Sequence, residues 1–128
     1  MVSLTLEQIL QLHALVLVKD GGADGVRDVG RLEAAVSTQH QVVFGEELYA
    51  TVFTKAAALM RGIIGGHPFA DGNKRTAMLA GLTLLEVNGY NFTAQRGELE
   101  NFAVRAATDH LDIDAIADWL KRHSQVCQ

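Results

Sequence analysis

The chain has 128 residues, 48% of them hydrophobic, and eleven Lys and Arg against fifteen Asp and Glu leave a formal net charge of −4. That length suits one cored domain over residues 1–128 and is too short for two ordinary ones. The absence of a basic field speaks against sequence-independent nucleic-acid binding, and charges interrupt every apolar run before it reaches membrane-spanning length. Nothing at the N-terminus resembles a signal peptide and the lone Cys127 excludes an internal disulfide, so a cytoplasmic protein is expected.

A single proline and aliphatic residues at helical spacing predict an all-α fold. In chain order the helices are expected over Thr5 to Val18, Asp28 to Thr38, Glu46 to Ile64, Gly72 to Asn88, Gly97 to Thr108 and Asp112 to His123. Thr5, Asp28 and Asp112 have the residue types of N-caps, Thr5 and Gln8 form a capping box, and Gly21 and Gly89 suit helix ends. Between the second and third helices, His40-Gln41-Val42-Val43-Phe44-Gly45 is short, apolar and β-branched. Either it forms a small extended flap whose edge can pair with a peptide, or Val42, Val43 and Phe44 pack on the core.

The nine residues His67-Pro68-Phe69-Ala70-Asp71-Gly72-Asn73-Lys74-Arg75 carry the chemistry. A helix starting near Gly72 presents unpartnered N–H groups and the positive end of its dipole, which favour an anion. Gly72 lets a phosphate approach the backbone, Asn73 adds an amide, and Lys74 and Arg75 supply a point charge and a planar fork of donors. Asp71 is placed to hold one Mg²⁺ that keeps its other positions for water and phosphate oxygens. His67 carries an imidazole, the side-chain type suited to take a proton from an attacking hydroxyl near neutral pH. Pro68 stiffens the loop and Phe69 anchors it to the core. Phosphate transfer depends on positioning and charge stabilisation, so these residues suffice without a nucleophilic Ser or Cys.

This stretch resembles the HPFx[D/E]GN[G/K]R loop of the Fic/Doc superfamily, and Gly21 to Ala34 looks like the early segment of its Doc branch, the death-on-curing toxins. The resemblance implies a Fic-type bundle of about six helices around a central motif helix. It implies His67 as the base acting on a protein hydroxyl, Asp71 as the Mg²⁺ ligand, and Gly72, Asn73, Lys74 and Arg75 as the seat of ATP phosphates. It further implies a flap holding the target near the histidine, elongation factor Tu as the target, and an antitoxin whose C-terminal helix blocks the site. Doc proteins transfer the γ-phosphate, whereas most Fic proteins transfer AMP. Lys74, where the AMP-transferring members usually have Gly, favours phosphate transfer, while Pro68 and Gly72 follow the AMP-transferring pattern. Met78 stands where those members often carry a second Arg, the usual partner of their inhibitory Glu, so self-inhibition by that route is not expected.

The remaining candidates have simpler readings. His13, His40, His110 and His123 lack metal-ligand spacing and read as surface or capping residues. Arg61 reads as the exposed end of a helix and stays outside the site. Met60 and Met78 fill the core, and Trp119 packs with Ile113, Ile116 and Leu120. The acidic residues of the last third form a solvated face. Three functions follow: a protein kinase, an AMP transferase, and an inactive module that binds an antitoxin.

Overall fold

The computed structural model describes residues 1–127, apart from the side chain of Arg96. Helix α1 (Leu6–Asp20) starts at the expected capping box: the Thr5 hydroxyl accepts from the Gln8 amide at 3.2 Å, and Gln8 Oε1 accepts from the Thr5 amide at 2.8 Å. It runs two residues past Val18 before Gly21, at φ 76°, turns the chain away. Helix α2 (Val29–Ser37) is capped by Asp28 and tightens into a 3-10 turn over Thr38–His40.

The third helix departs from expectation. Phe44 and Gly45 both have positive φ, 51° and 79°, the geometry of a tight hairpin turn, so Glu46 turns back instead of entering a helix. Strands β1 (Val42–Val43) and β2 (Glu46–Glu47) pair antiparallel, with Val42 opposite Glu47. Helix α3 (Val52–Gly66) begins only where Thr51 and Thr54 supply a capping box. Val42, Val43 and Phe44 are exposed, Phe44 fully, and do not pack on the core.

Helix α4 (Asn73–Val87) follows after a short loop. Strand β3 (Tyr90–Phe92), α5 (Arg96–Thr108) and α6 (Ile113–Arg122) complete the chain with strand β4 (Ser124–Val126), which returns to pair antiparallel with β3. The six helices make the fold all-α apart from two minimal strand pairs among the described residues. No described helix is long and apolar enough to cross a membrane.

Helix α3 is the centre, in contact with α2, α4 and α6. Its Ala56, Leu59, Met60 and Ile63 are buried, as are Ala77, Ala80 and Leu84 of α4 and Ile116 and Leu120 of α6. Each large aliphatic side chain so buried contributes about 1.5–3 kcal/mol. Trp119 stacks on Phe102 at 4.0 Å between ring centres, the packing role expected of it. Helices α3 and α4 pack tightly at Gly81, where an added methyl would overlap Met60 Sδ.

Lys55, on the first turns of α3, is buried and latches the hairpin. Its Nζ donates to the Gln39 carbonyl at 2.7 Å and to Glu47 Oε1 at 2.8 Å. Gln39 is itself buried, its amide bonding the Leu4 N–H, the Leu4 carbonyl and the Val36 carbonyl. The Lys55 hydrogen bond and charge hold the Glu47 carboxyl below its ordinary 4.5. A depressed carboxylate pKa stabilises the fold above the ordinary value and ceases to as pH falls through the lowered one.

Two measurements check these contacts. Exchange of the hairpin amides over residues 43–48, corrected for intrinsic rates, should accelerate relative to α3 as pH drops below 4.5, and Glu47→Gln should remove that dependence. Gly81→Ala, which by helix propensity alone would stabilise by about 1 kcal/mol, should instead destabilise by about 1–3 kcal/mol through overpacking on Met60, read by chemical denaturation.

Candidate active site

Six residues, 67–72, join α3 to α4 and form the motif loop. His67 caps α3 in the left-handed region, φ 47° and ψ 54°, with its N–H donating to the Ile63 carbonyl at 3.1 Å. Such a conformation costs a non-glycine residue on the order of 1 kcal/mol, so the surroundings must impose it. The His67 side chain lies at the surface while Pro68 and Phe69 are buried.

Asn73 closes the loop from inside. Its Oδ1 accepts from the Phe69 amide at 3.0 Å and its Nδ2 donates to the Phe69 carbonyl at 3.0 Å, so one buried side chain satisfies both backbone groups of one residue. The same Nδ2 stands 3.5 Å from His67 Nδ1, at the outer edge of hydrogen-bond range, which steadies the ring without deciding its tautomer. The sequence pointed Asn73 at a phosphate; the structure commits its side chain to the loop and leaves its backbone N–H at the helix start.

The floor of the loop is His13, which the sequence placed at the surface and the structure buries at 4% exposure. Its ring stacks on Phe69 at 3.8 Å and 9°. Its Nε2 lies 2.8 Å from the Asp71 carbonyl, which can only accept, so Nε2 carries the proton. The single signal available was position: His13 falls between Ile9 and Val16, both buried, on the inner face of α1.

The roof is the segment from Gly21 to Asp28. The Arg27 and Asp28 amides donate to the Pro68 carbonyl at 2.7 and 3.1 Å, the Ala70 amide donates to the Gly25 carbonyl at 3.1 Å, and Val26 bridges Phe69. The Ala23 amide donates to Asp71 Oδ2 at 2.9 Å. Asp71 is exposed, and its Oδ1 makes no bond among the described residues.

Helix α4 starts at Gly72, φ 79°, without a side-chain cap, so its N-cap offers no side-chain acceptor to the first-turn amides. A Cβ on Gly72 would come 3.2 Å from Val16 and 3.7 Å from His13, so glycine is demanded both by the turn and by the wall behind it. Arg75 pairs with Asp20 at 2.9 Å. Lys74 is exposed and, with Arg75, edges an apolar groove of about 480 Å³ between α1, α4 and α5. No cluster of three metal-ligating side chains occurs among the described residues. A cation at Asp71 therefore fits only as a hard ion completed by water and phosphate oxygens, a set that suits Mg²⁺.

Thus the structure brings His67, Phe69, Asp71, Gly72, Asn73, Lys74 and Arg75 together around one loop and helix start. It does not bring Val42, Val43 and Phe44 to them. Their hairpin is tied to Lys55, twelve residues before His67 and about 18 Å away along α3. The backbone that runs beside the motif is Gly21–Asp28 instead. Arg61, left outside the site on sequence grounds, lines a second groove that ends at His67.

The model of the Fic/DOC family matches residues 3–85. A protein of Mycolicibacterium smegmatis named Toxin Doc is 39% identical over 99 residues, 76% of either chain. One of Escherichia phage P1, named Protein kinase doc, is 34% identical over 116 residues, 91% of this chain and 90% of that one. With the motif loop lying inside the matched span, this chain belongs to the Fic/DOC family.

Proposed function

We propose that this protein is a toxin kinase that transfers the γ-phosphate of Mg-ATP to a Ser or Thr hydroxyl of a protein target. The observation that carries the reading is the loop itself: it holds an exposed imidazole, a carboxylate with one open oxygen and an uncapped helix start within seven residues. The name of the phage P1 relative, which the chain matches over nine-tenths of its length, favours phosphate over AMP transfer.

Mg²⁺, when bound, would neutralise charge developing on the phosphate oxygens. Asp71 would hold that ion, its carboxylate kept oriented by the Ala23 amide. Backbone amides of the first turn of α4, with Lys74, hold the phosphates; Arg75, paired with Asp20, flanks them. His67 takes the proton of the target hydroxyl as its oxygen bonds to the γ-phosphorus and the bond to the β–γ bridging oxygen breaks, releasing ADP. In the antiparallel bridge to Phe69, bonds run from the neighbours of Val26, so the N–H and carbonyl of Val26 face the other way. The target strand pairs with that edge, beside His67, and not with the distant hairpin. Elongation factor Tu, implied by the resemblance, is the target to try first.

As a toxin the chain needs a partner that silences it. The 480 Å³ groove is walled by Val16, Met78, Leu82 and Leu99, with Glu100 along it, and ends at Lys19, Lys74 and the Arg75–Asp20 pair. It fits an amphipathic antitoxin helix with acidic residues at one end, which would reach the phosphate seat.

ATP labelled at the γ- or the α-phosphate, incubated with Mg²⁺ and elongation factor Tu, tests the reaction. Only the γ label should transfer, His67→Ala should reduce it at least a hundredfold, and Lys74→Gly should weaken it; α-label transfer would establish the AMP reaction instead. For the groove, Leu82→Glu should weaken antitoxin binding at least tenfold by calorimetry and leave γ-phosphate transfer intact. Unaltered binding would place the partner elsewhere.

A further inference from the structure

The groove that ends at His67 has no role in the reading above. It measures about 740 Å³ and lies between α2, the end of α3 and the corner from α5 to α6. Among its lining residues are Arg31, Arg61, His67 and His110, and none is Asp or Glu, although the chain as a whole is acidic. Arg31 Nη1 donates to the Gly66 carbonyl at 3.1 Å and its Nε lies 3.4 Å from Asp28, while Arg61 Nε donates to the Leu111 carbonyl at 3.3 Å. A guanidinium has five N–H donors, so Arg31, held by the Gly66 carbonyl and the Asp28 carboxylate, and Arg61, held by the Leu111 carbonyl, both keep donors to spare. The floor at Gly65 is bare: a Cβ there would meet nothing within 4 Å.

We propose that this groove binds an acidic segment of the protein target and so brings the neighbouring hydroxyl to His67. The inference rests on the kinase reading, and in-line geometry is what assigns the occupant. Attacking and leaving oxygens lie on opposite sides of the phosphorus, so target and nucleotide approach from different sides. The nucleotide phosphates sit at the start of α4, and no residue of α4 lines the groove. His67 is shared by both sides. An extended acidic peptide meets bidentate donors from Arg31 and Arg61 over a backbone floor that admits it closely.

Binding and catalysis are tested separately. A fluorescein-labelled peptide of six Glu and one Ser, titrated into the His67→Ala protein, should bind with an affinity that falls at least tenfold from 50 to 300 mM salt. Arg61→Glu and Arg31→Gln, checked for folding by circular dichroism, should each weaken it at least fivefold, while Mg-ATP should not displace it. In the γ-phosphate assay, Arg61→Glu should raise KM for the protein target at least tenfold with KM for ATP unchanged. Peptide binding indifferent to both substitutions, or displacement of the peptide by ATP, would overturn the assignment, the latter making the groove a nucleotide pocket. If the wild-type protein transfers no γ-phosphate but the peptide still binds through Arg31 and Arg61, the kinase reading fails and the acidic-peptide site stands.

Discussion

Two helices packed as closely as α3 and α4, with Gly81 against Met60, have to be joined by six residues, and a connection that short cannot satisfy its own backbone polar groups. The Asn73 side chain meets the need, clamping the N–H and carbonyl of Phe69 from within the first turn of α4. Everything distinctive about the site follows from that clamp. Beside it Phe69 is buried, His67 sits in the left-handed region, and the exposed imidazole lies next to a helix start without a side-chain cap.

The clamp is supported from both sides. His13 stacks beneath Phe69 and bonds the Asp71 carbonyl, joining the loop to the face of α1 that also buries Ile9 and Val16. Above, the Gly21–Asp28 segment contributes four backbone or side-chain bonds to Pro68, Ala70 and Asp71. The residues that would do chemistry are exposed, whereas those that orient them are buried or tied to backbone. This division suits a reaction whose catalysis depends on preset geometry.

Charge is distributed unevenly around this frame. Cationic side chains stand on both flanks of the loop: Lys19, Lys74 and the Arg75–Asp20 pair on one, and Arg31, Arg61 and His110, in a groove lined by no Asp or Glu, on the other. The hairpin at Val42–Glu47 lies apart from both, held by Lys55 at the far end of α3. Its exposed Phe44 is thus anchored through Glu47 to the end of α3 opposite His67.

Much of this was legible in the residues because it is local. Helix starts at Thr5, Asp28 and Asp112 depend on side chains within three positions of the backbone they cap. The burial of Phe69 and the helix start at Gly72 likewise belong to nine consecutive residues. The beginning of α3 differs from the sequence expectation because Glu46 and Glu47 suit a helix in isolation, whereas the turn at Phe44–Gly45 outweighs them. What tertiary structure alone decided is which distant segments meet the motif: His13 from α1, the Gly21–Asp28 roof in place of the hairpin, and the arginine-lined groove. Periodicity identifies a buried face but not its neighbour, and a hydrogen bond such as that from His13 to Asp71, 58 residues apart, exists only once the helices have packed.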